Sequence, residues 1–389
     1  MAAGIPSLPP PVFVDDADGL DPNLILADMI AAFETAAGRT LQPAQVERLL
    51  INLYAYREAL IRNAIQYAAQ QNLLAFAIFP MLDYLGQLVG VTRLAAQGAA
   101  TVLEFTLASA LTVAITIPQG TQAGTSDGQY SFATSAALVI PAGALSGAVS
   151  AVAVQSGAGA NGYLVGQVDT LLTPSAIIAS VANTTITAGG SAPETDDHLR
   201  ARIQAAPNQF SVAGPAGAYR FFALGVDPSI ADVQIVSPAP GQIDAYVLTG
   251  PVTVQPQSAP NGVGIAGAAL LARVLAALSG DSVRPLTDTV NVLAVTEVDY
   301  QITATVTMYS DADPVATMAA ASAAAAQYAV ELAAKIQRDI VPSQVIAALS
   351  VTGVYEIVLS APAYTQLMPG QWANCTAISL TQAVSGEHS

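Results

Sequence analysis

Between Val46 and Tyr67 the apolar residues return at steps of three and four: Val46, Leu49, Leu50, Leu53, Tyr56, Leu60, Ala64 and Tyr67. One face of a helix carries such a pattern, and a strand cannot. Glu47, Arg48, Arg57, Glu58, Arg62 and Gln66 decorate the other faces. Pro43 is tolerated in a first helical turn and the next proline is Pro80, so the pattern predicts a helix from 43 to about 79. A helix of roughly 35 residues extends about 50 Å, longer than a helical region of about 75 residues needs to close its own core. The stripe therefore predicts bundling with helices of another chain. The alternative is a hairpin within this one.

The rest of the chain divides by pattern. Residues 1–22 form an arm rich in Pro and Asp, expected to lie extended along a neighbour or to be loosely ordered. The helical region, residues 23–97, opens with a helix from Asn23 to about Ala37 that stops at Gly38. Short alternating runs such as Leu103/Phe105/Leu107 and Val113/Ile115/Ile117, separated by Gly, Ser, Pro and Asn, predict a small all-β module over 98–188. Helices then return, mixed with strands, in an α+β domain at 189–308 and a C-terminal α+β domain at 309–389. Helices are predicted at 193–205, 215–225 and 264–279, and strands at 231–237, 243–249 and 290–308. The fold class is α+β and multidomain. A faint echo links a helix followed by DVQIVSP and IDAYVL with a later helix followed by YEIVLSAP and TAISL. It is read as two related units, with chance similarity as the alternative.

Charge excludes several function classes. Of 389 residues, 28 are acidic and 12 basic, a formal net charge of −16 that repels phosphates and makes nucleic acid an improbable partner. One cysteine, Cys375, allows neither an internal disulfide nor a Cys-rich zinc cluster, and a free thiol suits assembly in a reducing cytoplasm. The first residues, MAAGIPSLPPPVFVDDADG, lack the basic and apolar regions of an export signal. Residues 314–334 are apolar but mostly Ala, with Gln327 and Glu331, and read as a helix packed within protein, not as a membrane span.

Catalytic constellations are sparse. His198 and His388 are the two histidines, with no H-E-x-x-H, no paired ligand spacing and no G-x-S-x-G elbow. Gly262, Gly264 and Gly267 match G-x-G-x-x-G in outline, but a Pro-rich loop precedes them where that fingerprint needs a strand. Only GGSAPETDDHLRARI, residues 189–203, gathers a histidine among carboxylates. Ser191 and Glu194 fit a capping box, Asp196 and Asp197 suit a helix start, and Asp196 stands four residues before Arg200. A capped helix start is thus weighed against a metal or acid/base site, and no metal, cofactor or enzymatic activity is expected.

That segment, followed by GPAGAYRFFALGVDPSIADVQIVSPAPGQIDAYVL, resembles the central signature of the baseplate J-like family of contractile phage tails, including its Mu-like members. SVRPLTDTVNVLAV, VPSQVIAALSVTGVYEIVLSAP, PMLDYLGQLVGVTRL, IPQGTQAG and YSFAT are also similar to that family, in order along nearly the whole chain. The resemblance implies a structural protein of the baseplate wedge. It would associate with itself, with a second, tail-fibre-side wedge protein and with a small sheath-proximal one, closing a sixfold ring around the hub. It would reside in the virion after assembly in the host cytoplasm. Gly190, Asp196, Asp197, Leu199 and Arg200 match the family's central motif, and Arg284, Pro285, Leu286 and Asp288 a later one, with no catalytic role attached. The bundle interface is expected at Val46, Leu49, Leu50, Leu53, Tyr56, Leu60 and Tyr67. A surface adhesin or carbohydrate-processing protein built on the β module is the rival reading, against which stand the missing export-signal pattern and the mixed α+β half; the single tryptophan, Trp372, and 6% aromatics speak against glycoside hydrolysis.

Overall fold

The computed structural model describes residues 9–14, 20–210, 215–250, 264–280, 283–285 and 287–383. Expectations placed on residues 1–8 and 15–19, on Gly262, Leu286 and His388 lie outside the described residues. The protein is a mixed α+β, multidomain chain with an N-terminal helical region. It divides into two compact units, Met1–Arg93 with Thr195–Ala206, and Leu94–Glu194 with Pro207–Ser389.

The first unit is helical. Helix α1 (Pro22–Ala37) is capped by Asp21, whose carboxylate accepts the Asn23 N–H at 2.8 Å, and it ends at Gly38, where φ of 64° favours a residue without Cβ. Helix α2 (Val46–Gln70) has 25 residues and stops short of the predicted end at 79. The reason is local: the buried Gln71 amide accepts the Ile78 N–H at 3.0 Å and donates to the Phe76 carbonyl at 3.3 Å, folding 71–78 into a loop. Helix α3 (Met81–Leu88) follows Pro80, and α4 (Asp196–Ala205) completes the unit. Ile25 of α1, with Leu26 and Met29, packs on Ala55 and Ala59 of α2. The hairpin within the chain therefore exists, but on a face of small residues and not on the predicted stripe.

In the second unit, a β module comes first: β1 (Ala100–Leu107), β2 (Ile115–Ile117), β3 (Gln122–Thr125), β4 (Ser131–Thr134), β5 (Leu138–Ile140), β6 (Ser146–Ala153), β7 (Val168–Leu171) and β8 (Ile178–Asn183). Six strands form one sheet in the order β7-β3-β4-β6-β1-β8, and β2 pairs with β5. Leu103, Phe105, Phe132, Ile140 and Val168 fill its interior, as the alternation on β1 requires. The sheet's ends are joined by a side chain. Fully buried Asn183 accepts the Val168 N–H at 2.9 Å and donates to the carbonyls of Leu164 and Thr185 at 3.0 and 2.8 Å.

The middle segment holds α5 (Ala216–Leu224), β9 (Ile230–Ala239), β10 (Gln242–Thr249), β11 (Gly264–Ile265), α6 (Ala268–Leu278) and β12 (Thr289–Ala294). Its central strand, β10, runs antiparallel to β9 and parallel to β12. The last segment holds β13 (Thr296–Met308), α7 (Pro314–Ala333), α8 (Pro342–Leu349), β14 (Val354–Ala361) and β15 (Gln371–Gln382), with β13 antiparallel to β14 and parallel to β15. The single strand predicted at 290–308 is two strands, broken at the buried Val295 and divided between two sheets. The helix predicted at 264–279 begins only at Ala268, behind the short strand β11. The sequence echo does not extend to pairing: β9 and β10 hydrogen-bond directly, whereas β14 and β15 flank β13 on opposite sides. On β13, Tyr300, Ile302, Ala304, Val306 and Met308 are all buried, and Ala321, Ala325 and Ala329 of α7 pack against the first three. Leu248, Val295, Ala333, Ile336 and Trp372 form a further cluster joining the two sheets, and the Trp372 indole N–H donates to the Ala333 carbonyl at 2.7 Å. Among the described residues no helix is long and apolar enough to cross a membrane.

Candidate functional site

Two features of the first unit could carry function: the face of α2 that its own chain leaves open, and the carboxylate-rich segment that becomes α4. On α2 only Ala55, Ala59 and Gln66 are buried. With about 100° per residue, Val46, Leu53 and Leu60 lie about 140° to 180° around the helix from Ala55. The seven stripe residues Val46, Leu49, Leu50, Leu53, Tyr56, Leu60 and Tyr67 are between 46% and 68% exposed. Tyr54, Ile61 and Ile65 are exposed as well. An open apolar groove of about 620 Å³, bordered by Met29, Phe33, Ile51, Tyr54 and Ile61, runs between α1 and α2. Covering the seven side chains would contribute roughly 5–10 kcal/mol before the cost of association, since each is about half exposed.

The arm meets the same helix. The Gln66 amide accepts the Phe13 N–H at 2.7 Å and donates to the Pro11 carbonyl at 2.6 Å. Pro11 and Phe13 are therefore held on their own α2, whereas the sequence reads as an arm extended along a neighbour or loosely ordered. A glutamine among helical apolar residues gave no signal of this contact.

The segment around His198 proves to be a clamp. Helix α4 is capped by Thr195, whose hydroxyl accepts the His198 N–H at 3.3 Å, and not by the predicted Ser191/Glu194 box. The Glu194 carboxylate is engaged elsewhere, accepting the Leu94 N–H at 2.8 Å. Asp196 accepts from Arg93 at 2.7 Å and from the Phe79 N–H at 3.3 Å, so its expected pairing with Arg200 is replaced. Arg200, 9% exposed, instead pairs with Asp197 and donates to the carbonyls of Leu74 and Ala77, each at 2.8 Å. Leu199 is fully buried. These residues fasten the loop after α2. Among the described residues no group of three or more His, Cys, Asp or Glu side chains is placed to hold a metal ion.

The remaining motif residues lie in the second unit and also work on backbone. A Cβ on Gly190 would stand 2.4 Å from the Gly157 carbonyl oxygen, so only glycine fits there. Arg284 donates to the carbonyls of Ser279 at 3.1 Å and Asp288 at 2.8 Å. The Asp288 carboxylate accepts the Tyr219 hydroxyl at 2.9 Å. Burial first, and then that bond, push the Tyr219 hydroxyl up to about 12. Pro285 lies between them, and its carbonyl accepts the Asp288 N–H at 3.1 Å, closing the turn that carries Asp288.

Four family models of the baseplate J-like protein match in chain order: the N-terminal domain at 47–100, the barrel domain at 102–190, the central domain at 211–294 and the C-terminal domain at 300–381. Over 169 residues the chain is 37% identical to "Baseplate protein J" of Escherichia phage P2, a match covering 43% of this chain and 52% of the relative. The chain thus spans about half the length of that curated relative. A chain in the cryo-EM structure of the anti-feeding prophage (AFP) baseplate, 6-fold symmetrised, is similar over 91% of this chain and 90% of that one, with 16% identity and a TM-score of 0.40.

Proposed function

This chain belongs to the baseplate J-like protein family, and we propose on that footing that it is a structural component of the baseplate wedge of a contractile phage tail or phage-tail-like particle. In this reading it associates with itself and binds a second, tail-fibre-side wedge protein and a small sheath-proximal one. Together they build a sixfold ring around the hub, in a virion assembled in the cytoplasm of the bacterial host. No catalytic role is part of the proposal.

The observation that carries it is the exposed stripe of α2. A surface helix normally turns its large apolar side chains inward. Here the inward face is Ala55 and Ala59, while Leu49, Leu53, Tyr56, Leu60 and Tyr67 point out. Such a helix is built to be covered by helices from outside the chain. Arg200 of α4 fastens the loop that follows α2 through the Leu74 and Ala77 carbonyls.

Replacing Leu53 and Leu60 together with Asp tests this. The double variant is expected to keep the β module folded, by circular dichroism and proteolysis, while losing self-association and co-purification with its wedge partner. Normal particle assembly by that variant would sink the interface, and a wild-type chain that stays monomeric both alone and with the co-expressed partner would sink the scaffold reading itself.

A further inference from the structure

The three-stranded sheet β14-β13-β15 ends in two unlike edges. Strand β14 carries Glu356 and runs into Pro362, features that block further pairing at a sheet edge. Strand β15 has neither. It is 12 residues long, QWANCTAISLTQ, and contains no charge and no proline. Residues 357–386 include none of the 40 charged side chains of this strongly acidic chain, in which 28 acidic residues stand against 12 basic. Among the described residues, β15 pairs with β13 alone, so its outer edge takes no strand.

The edge is regular where it is free. One bulge interrupts the pairing at Thr376, after which Ala377 to Gln382 follow Gln301 to Val306 without a break. Along this stretch Ile378 and Leu380 face the core beneath and are only partly covered, while Ser379 and Thr381 are exposed. We propose that this edge is a second self-association surface, on which β15 of another copy pairs antiparallel about a two-fold axis through Ser379, extending the sheet from three strands to six.

Two observations select a second copy as the occupant. A molecule of net charge −16 approaches its like most easily where it carries no charge, and β15 lies in such a stretch. The register is also self-complementary. With Ser379 opposite Ser379, Ile378 of each copy faces Leu380 of the other on the core side, and Ala377 faces Thr381 on the solvent side. Apolar residues thus meet apolar ones and the small polar ones meet each other. This surface lies in the second unit and is independent of α2.

The test uses the full chain carrying Leu53→Asp and Leu60→Asp, so that association through α2 is absent. Ser379→Cys in that background is expected to form a disulfide-linked dimer under mild oxidation, and Ser360→Cys, exposed on the β14 edge, is not. Ser379→Lys, which places like charges opposite each other at an exposed position, should raise the dimer dissociation constant roughly tenfold by sedimentation. Cross-linking at Ser379 no faster than at Ser360, or a dimer unmoved by Ser379→Lys, would overturn the proposal whatever the α2 variants do to wedge assembly.

Discussion

Arg200 shows how a motif that looks chemical can be mechanical. Its guanidinium is buried and donates to two main-chain carbonyls, Leu74 and Ala77, in a loop that no regular structure satisfies. Arg200→Met would keep the apolar stem and strand both carbonyls. We expect it to cost about 3 kcal/mol in urea unfolding of the helical unit. Tyr219 permits a test by pH. Its hydroxyl is raised to about 12 by burial and by its bond to Asp288, above the ordinary value of 10.0. A group whose folded value is raised contributes stability that is complete below the unfolded value and lost as pH climbs through the folded one. Urea stability should therefore hold to about pH 10 and decline towards about pH 12. Tyr219→Phe should be less stable by roughly 1.5–3 kcal/mol near neutral pH and lack that part of the alkaline decline.

Among the elements, what the sequence displayed was periodicity, and what it concealed was the occupant of each face. The steps of three and four from Val46 to Tyr67 located α2 and its apolar stripe correctly, and the alternation from Tyr300 to Met308 located the buried face of β13. Periodicity could not locate the end of α2, because that end is made by one side chain, Gln71, folding back on residues 76 and 78. Nor could it separate β12 from β13, since apolar alternation runs through the junction at Val295 while the hydrogen-bonding partners change. Strands β3 and β8 escaped notice because QAGT and IASVAN are short and weakly apolar. Closure of the β module is likewise the work of one residue. Asn183→Ala would leave the buried Val168 N–H without its acceptor, while the Leu164 carbonyl keeps the Gln167 N–H, and should cost about 1–3 kcal/mol, read as faster proteolysis between β7 and β8. Asn183→Asp should rescue only the Val168 bond, because a carboxylate accepts and cannot donate.

At the scale of the whole molecule, the two units differ in how much they bury. The second holds large clusters built on Phe105 and Phe132, on Tyr219 and Ile230, and on Ile302 and Leu349. In the first, α1 and α2 meet through Ile25, Ala55 and Ala59, while the large apolar residues of α2 stay in water. Folding of such a unit is coupled to what covers it, because a partner that binds only the folded form adds stability as its concentration rises above the dissociation constant. Calorimetry of the full chain should therefore resolve two transitions. The lower one, reported by hydrogen exchange in α2, should move up by several degrees between dilute and concentrated solutions or on addition of the proposed wedge partner. The upper one should not respond to the partner or to changes in α2, and any concentration dependence it shows comes from the β15 edge. Leu53→Asp with Leu60→Asp should abolish the concentration dependence of the lower transition without lowering the upper. A single transition, or a lower one indifferent to both concentration and partner, would mean that the helical unit is stable as it stands and that its open stripe needs no cover.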